Sequence, residues 1–327
     1  MKLNRCLALL LTFFLAAVYS APSQQQPTTP ATREKMIIDT DIGDDIDDSF
    51  ALALVLSSPE IELLGVSTAW GNTQLRARIV DRMLCETGKS EIPIFAGIPS
   101  TSKIGMDEAP WAEEMPAPDK PYAPSLDFIL DQIRRYPNQI TLLAIAPFIN
   151  VGALIERDPD TFRKLKRVVL MGGSVYKGYN DLGYLPGHGP DPEYNIYSDI
   201  PAARRLFASG VPLFVMPLDS TQIKLEEYER ELIFSHGTPL TDALALLYHH
   251  WGQQTPTLYD AVAAAFAINP QLCPVTPLHL EIDDKGYTRP VAGTPNAQVC
   301  LKSNSDDSLH FYLGRVLRQK LTGQCRH

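Results

Sequence analysis

The sequence is short of cysteine, of basic charge and of long apolar runs. Five cysteines occur in 327 residues, and their spacing fits no zinc-binding pattern. Lys and Arg number 29 against 38 Asp and Glu, a formal net charge of −9, which argues against a nucleic-acid-binding surface. Beyond the first twenty or so residues, no apolar segment is long enough to cross a bilayer. No internal repeat is visible, so a repeat architecture is not expected. What remains is the composition of a globular protein with a full core, 45% hydrophobic and 20% charged, which fits one large α/β domain or two smaller ones.

The N-terminus is the exception. Lys2 and Arg5 precede the apolar run from Cys6 to Ala21, and small residues near Ser20 and Ala21 suit cleavage. Residues 1–21 therefore read as a secretory signal peptide, the run being short for a spanning helix. Residues 22–34 are polar and Pro-rich and read as a flexible lead-in; residues 35–327 form the folded part. The expected location is secreted or periplasmic, with no membrane in the mature form. Four cysteines remain there, and an even number permits disulfides in an oxidising compartment. One bridge among Cys273, Cys300 and Cys325 is expected, with Cys85, in a helix-like stretch, a buried free thiol.

Along the chain, strand and helix signals alternate. Short apolar strands are expected at 35–39, 61–69, 92–97, 139–146, 165–173 and 211–219. Helices are expected at 47–58, 73–88 and 125–136, after Pro147 and from Ser198. Two long loops, 100–124 and 176–192, interrupt the rhythm. Residues 275–283 and 296–301 suggest a hairpin before a last helix. The pattern predicts a single-domain α/β fold with a mostly parallel, Rossmann-like central sheet flanked by helices, the C-terminal helices closing the active site. Ligands bind such sheets outside the C-terminal strand ends.

The stretch "MIIDTDIGDDIDDSFALAL" puts six aspartates, Asp39, Asp41, Asp44, Asp45, Asp47 and Asp48, between two apolar segments. Isolated buried carboxylates are costly. A hard cation removes the conflict, and calcium takes six to eight oxygens. An EF-hand is excluded, because Gly43 is the fifth residue counted from Asp39 and the twelfth is Phe50. A haloacid-dehalogenase-type phosphotransferase also begins with a strand and Asp-x-Asp, but usually continues with Gly and Thr or Val, where this chain has Ile42 and Gly43.

The constellation resembles the inosine-uridine-preferring nucleoside hydrolase family. The residues are Asp39, Asp41, Gly43 and the pair Asp47–Asp48, followed in family order by "STAWGNT", "LLAIAPFIN", "VVLMGGS", "PEYNIYSDIPAA", "VMPLDST" and "TLYDAVAAAFAINP". The resemblance covers nearly all the chain from Lys35. It implies hydrolysis of ribonucleosides to ribose and free base, calcium as cofactor, and a homo-oligomer, dimer or tetramer. Asp41, Asp48, Asp260 and the main-chain carbonyl of Ile145 would hold calcium, and Asp41 would take the proton from the attacking water. Asp47, Asn72, Glu193 and Asn195 would hold the ribose hydroxyls, with Met171 beside the sugar.

Cleavage of an N-glycosidic bond builds positive charge on the ribose, which nearby carboxylates stabilise. The chain departs from the family in three places. Two extra residues follow Gly43, so Asp44 or Asp45 could replace an assigned ligand, Asp45 being the reserve. Tyr259 stands where the family often has the histidine linked to protonating the leaving base; His188 is the other candidate for that task. Asn180 is the nearest match to a family asparagine that helps hold ribose. Trp70 could stack on a base or pack structurally. The alternatives are a phosphohydrolase using the Asp-rich loop and a calcium-dependent ribose- or nucleoside-binding protein without turnover.

Overall fold

The computed structural model describes residues 33–102, 105–179, 188–323 and 325. The expected signal peptide and nearly all of the lead-in lie outside them. In chain order the elements are β1 (Glu34–Thr40), α1 (Asp47–Leu56), β2 (Ile61–Thr68), α2 (Thr73–Glu86), β3 (Ile94–Ala96), α3 (Ala109–Glu113), α4 (Ser125–Arg135), β4 (Ile140–Ala144), α5 (Ile149–Arg157), α6 (Pro159–Phe162) and β5 (Arg167–Met171). They continue with α7 (Tyr194–Ser198), α8 (Ile200–Phe207), β6 (Leu213–Met216), α9 (Leu218–Thr221), α10 (Glu227–Phe234), α11 (Pro239–Trp251), α12 (Tyr259–Ile268), β7 (Val275–Ile282), β8 (Thr288–Val291), β9 (Ala297–Cys300) and α13 (Ser305–Val316).

The strands form one sheet in the order β3-β2-β1-β4-β5-β6-β9-β7-β8. Pairings from β3 through β9 are parallel, and β7 and β8 close one end antiparallel. Starting from β1 the chain builds outward to β2 and β3, then returns to the other side of β1 with β4. The gap between β1 and β4 is thus the topological switch point, where a parallel sheet opens a crevice at its C-terminal edge.

Strand geometry sends successive side chains to opposite faces. Met36 and Ile38 of β1 enter one core cluster, with α1, α2, α11 and α12, while Ile37 enters the other, with α4, α5 and α8. Both faces being covered, the strands read as continuous apolar runs rather than alternating ones. Helix α12, "YDAVAAAFAI", is buried almost all round. Its run of alanines lets it lie close against α1, itself buried from Asp47 to Val55.

The mostly parallel sheet with helices on both faces is as expected. Several details are not. A short helix, α3, lies within the expected loop 100–124; it forms because Trp111 is fully buried under the Arg82 guanidinium, 4.4 Å from the ring centroid. The expected hairpin contains an extra strand, β8, paired to β7, while β9 pairs with β7 and joins the sheet beside β6. Cys85 is not a free thiol. It bridges Cys325, across 240 residues, with Cα atoms 5.5 Å apart. The second bridge joins Cys273 and Cys300, within the expected C-terminal trio. No helix among the described residues is long and apolar enough to cross a membrane.

Candidate active site

The acidic loop leaves β1 at the switch point and runs directly into α1. Its turn needs Gly43, whose φ of +129° suits glycine. A Cβ there would meet Ile79 and Met106 at 2.8 Å. Because α1 and α12 pack side by side, their N-termini meet above β1 and β4, and Asp47 and Asp48 come opposite Asp260. One carboxylate oxygen from each of the three lies within 4.8 Å of the others. Helix N-termini favour negative charge, which offsets part of the cost of gathering it there.

A cavity of about 230 Å³ opens over this trio. Asp41, Asp44, Asp45, Ile145, Met171, Glu193 and Asn195 also line it, together with three tyrosines, Tyr179, Tyr194 and Tyr259. No Lys, Arg or His is among the lining residues. Two larger open grooves, of about 880 and 960 Å³, contain none of these groups.

Hydrogen bonds fix the acidic wall from behind. The Thr40 hydroxyl donates to Asp48 and accepts from the Ile42 N–H at 3.1 Å. Asp47 accepts the Asp260 N–H at 3.1 Å. Asp39 faces away from the cavity contents and accepts from Asn150 Nδ2 at 2.7 Å; burial pushes its carboxyl up to about 6. Asp260 Oδ1 is buried with no hydrogen-bond partner among the described residues. Asp41, Asp47, Asp48 and Asp260 are all pushed well above the usual carboxylate range, first by burial and then by neighbouring aspartate charges, Asp44 at Asp41, Asp45 at Asp47, Asp41 at Asp48 and Asp47 at Asp260. Four buried carboxylates with an orphaned oxygen between them form an oxygen-only donor set that fits a hard divalent cation.

Another wall of the cavity is built by β5 and α7. Glu193 caps α7, accepting from the N–H groups of Gly173 at 2.8 Å, Asn195 at 3.0 Å and Ile196 at 3.2 Å. Those donors oppose burial, which still lifts its carboxyl to about 7. Asn195 Nδ2 donates to the Met171 carbonyl at 3.2 Å. Tyr259, the first residue of α12, meets Tyr179 edge to face at 6.3 Å.

The structure therefore brings Asp41, Asp45, Asp47, Asp48, Ile145, Met171, Glu193, Asn195, Tyr259 and Asp260 around one cavity. Asn72 is not among them. It is exposed and caps α2, its Oδ1 accepting the Leu75 N–H at 3.2 Å. His188 lies outside the lining and pairs with Asp191 at 3.1 Å. Asn180 lies outside the described residues.

Sequence reasoning missed Tyr179, Tyr194 and Arg76. Arg76 is 1% exposed and donates to the Trp70 carbonyl at 2.8 Å, the Ile42 carbonyl at 2.9 Å and Asp44 at 3.1 Å. The signal was its place at helical spacing from Ile79, Val80 and Met83, on the buried face of α2.

Comparison with known proteins agrees with this geometry. The chain is 34% identical over 201 residues to an uncharacterized protein of Schizosaccharomyces pombe, covering 57% of this chain and 62% of that one. It is 30% identical over 266 residues to uridine nucleosidase 1 of Arabidopsis thaliana, covering 73% of this chain and 75% of the relative. A solved plant nucleoside hydrolase superposes with a TM-score of 0.77 at 21% identity, over 88% of this chain and 99% of its own, a likeness of fold. The model of the inosine-uridine preferring nucleoside hydrolases matches residues 36–309. With its acidic strand end, switch-point cavity and matching span in place, the chain belongs to the inosine-uridine preferring nucleoside hydrolase family, hydrolases acting on N-glycosyl bonds.

Proposed function

We propose that this chain is a calcium-dependent ribonucleoside hydrolase, cleaving the bond between C1′ of ribose and the base nitrogen. The observation that carries this reading is the convergence of Asp41, Asp47, Asp48 and Asp260, all buried, on a cavity without a lining cation. Asp41, Asp48, Asp260 and the Ile145 carbonyl would hold the ion, with Asp47 beside them and Asp45 in reserve. Bound calcium would lower the pKa of a water and hold vicinal hydroxyls.

The chain's own residues divide the remaining work. Asp41 accepts a proton from the attacking water. The water oxygen bonds to C1′ as the C1′–N bond breaks, and the departing base takes up a proton. The carboxylate wall stabilises the positive charge that grows on the sugar. Glu193 and Asn195 face the ribose hydroxyls, and Met171 packs beside the sugar. Tyr259 stands where the leaving base would be met, as hydrogen-bond donor or as a ring to stack against.

A secreted or periplasmic location belongs to the same proposal. The basic and apolar opening of residues 1–21 supports it, and so do the two disulfides, since such bonds persist in oxidising compartments. So do the division into signal peptide, lead-in and catalytic domain and a homo-oligomeric state, which rests on family resemblance and is read by light scattering.

The test is a panel of ribonucleosides incubated with the protein, with and without EDTA. Equimolar ribose and free base, lost on chelation and restored by calcium, are the expected products. Binding of nucleoside without release would identify a binding protein instead. Phosphate release from phosphate esters would identify a phosphohydrolase. Stoichiometric zinc in the active protein would overturn the assignment of the metal.

A further inference from the structure

A cation stands behind the acidic wall. Arg76 is buried and is not among the residues that line the cavity. Burying a guanidinium is costly unless its donors are satisfied, and the partners of Arg76 come from two places. Its Nη1 donates to the Ile42 carbonyl at 2.9 Å and to Asp44 Oδ1 at 3.1 Å, bracketing the Gly43 turn from both sides. Its Nε donates to the Trp70 carbonyl at 2.8 Å. Trp70 and Gly71 have φ of +65° and +60°, a left-handed backbone that is uncommon for a bulky residue and costs free energy. That turn is itself tied down. The Trp70 N–H donates to the Ile98 carbonyl at 3.3 Å, and the Gly71 N–H donates to the Ser100 hydroxyl at 2.9 Å. Trp70 does not line the cavity; its carbonyl serves as an anchor for the guanidinium.

Residues 41–46 join β1 to α1. Asp41 lies just before the bracketed turn, and Asp47 and Asp48 lie just after it, so the shape of the turn sets how far apart these carboxylates stand. From the other flank, the Glu108 N–H donates to the Gly43 carbonyl at 3.1 Å. Gathered carboxylates repel one another, and the cavity lining holds no cation to oppose that. A loop without anchors would spread to relieve the repulsion. The Arg76–Asp44 pair is buried, with side chains 1% and 14% exposed. Such a pair adds little net stability compared with an apolar replacement, so a role in fixing one conformation is the better reason to keep it.

We propose that Arg76 is the positioning residue of the metal site: anchored on the Trp70 turn, it holds the loop from Asp41 to Asp48 in its ion-receiving shape before the ion arrives. The inference deepens the calcium-dependent reading and rests on it. Ligands ordered in advance spare the binding step the cost of ordering them. Groups that stand behind metal ligands typically change metal affinity by roughly 10- to 100-fold. Charge alone argues in the opposite direction, because a fixed cation beside the site repels a divalent ion. The charge of Arg76 does reach the site: burial pushes the carboxyls of Asp41, Asp44 and Glu108 up, and Arg76 opposes that rise at each. Positioning and charge therefore predict opposite signs when Arg76 is removed, and the sign of the change in calcium affinity decides between them.

The experiment titrates calcium into the wild type, Arg76→Gln, Arg76→Lys and Arg82→Gln by isothermal calorimetry, well below each protein's melting temperature. Arg82 is the control: it lies on the same helix and is also buried, but its hydrogen bonds go to Trp111, Glu86 and Glu114, none of them in the acidic loop. Arg76→Gln should weaken calcium by roughly 10- to 100-fold. Arg76→Lys keeps the charge but not the planar fork that spans three acceptors, and should fall between the wild type and Arg76→Gln. It also decides the matter if Arg76→Gln does not fold. Arg82→Gln should lower the melting temperature and leave the calcium Kd near that of the wild type. Tighter binding by Arg76→Gln, or an unchanged Kd in both Arg76 variants beside a lower melting temperature, would overturn the inference. So would an equal weakening in Arg82→Gln, which would make the effect one of helix packing. Wild-type protein that binds no calcium would instead sink the calcium reading itself.

Discussion

Replacing Asp260 by asparagine should make the metal-free protein more stable while removing its response to calcium. Asp260 is 4% exposed, and its Oδ1 has no hydrogen-bond partner among the described residues. Its carboxylate shares a space no wider than 4.8 Å with Asp47 and Asp48. Two unit charges at that separation repel by about 3.5 kcal/mol at an effective dielectric of about 20. Burial and the neighbouring charges raise all three carboxyls, and proton uptake would relieve part of this repulsion. An asparagine removes the charge, keeps the shape and can donate its amide to Asp47. The expected gain is about 1–3 kcal/mol in EDTA, or roughly 2–6 °C in a chain of this length.

Calcium should reverse the comparison. A ligand at 100 times its dissociation constant stabilises the wild type by about 2.7 kcal/mol, and a ~100-fold weaker site would keep only about 0.4 kcal/mol. Differential scanning calorimetry of both proteins, with EDTA and with calcium, reads all four numbers. A lower melting temperature for Asp260→Asn in EDTA would show that the carboxylate is a structural bond rather than a charge awaiting an ion. A full calcium increment in the variant would remove Asp260 from the ligand set.

Three further outcomes are expected. Asp41→Asn should fold normally by circular dichroism and lose ~10²–10⁴-fold in turnover; near-wild-type activity would end its role as base. Tyr259→Phe should slow natural nucleosides more than p-nitrophenyl riboside, whose leaving group needs no proton, if the hydroxyl serves the base; equal losses on both would rule that role out. Glu108, which accepts from the Ser49 hydroxyl at 2.9 Å, is lifted by burial to about 8 from an ordinary 4.5. The folded chain therefore holds an extra proton between those values, and its stability falls as pH rises through that window. Glu108→Gln should flatten the decline of melting temperature between pH 5 and 8, and an unchanged slope would contradict this.

Much of the fold was legible because parallel strands buried on both faces leave apolar runs of a recognisable length. The aspartate cluster was legible because charge between two apolar segments has no inexpensive explanation other than a shared partner. Strand β8 was not, since "TRPV" is short and its proline reads as a turn. Helix α3 was hidden in a Pro-rich, acidic segment, where one buried tryptophan outweighs local preference. Asn72 shows the limit of motif matching: its position after β2 is as expected, but its side chain turns back to cap α2. Tyr179 and Tyr194 come from separate segments, and only the packing of the loop after β5 against α7 brings them together, the Tyr179 hydroxyl accepting the Tyr194 N–H at 3.1 Å. The pairing of Cys85 with Cys325 was equally out of reach, because connectivity among cysteines is set by tertiary contact.

That bridge turns most of the folded chain into a covalent ring, with the ring closed by Cys273 and Cys300 inside it. A protease that cuts anywhere between residues 85 and 325 opens the ring but frees no fragment, because both new ends stay attached through sulfur. The segment around α3 and the loop before α4 lie in that span, and so does every cavity-lining residue from Ile145 to Asp260. The acidic loop lies outside it, so a cut between residues 48 and 85 would be the damaging one. Nicked protein should migrate as one band on a non-reducing gel, separate into pieces once reduced, and keep its activity until then. Wherever proteases reach the folded chain, tolerance of a broken backbone would extend working life beyond what equilibrium stability alone provides.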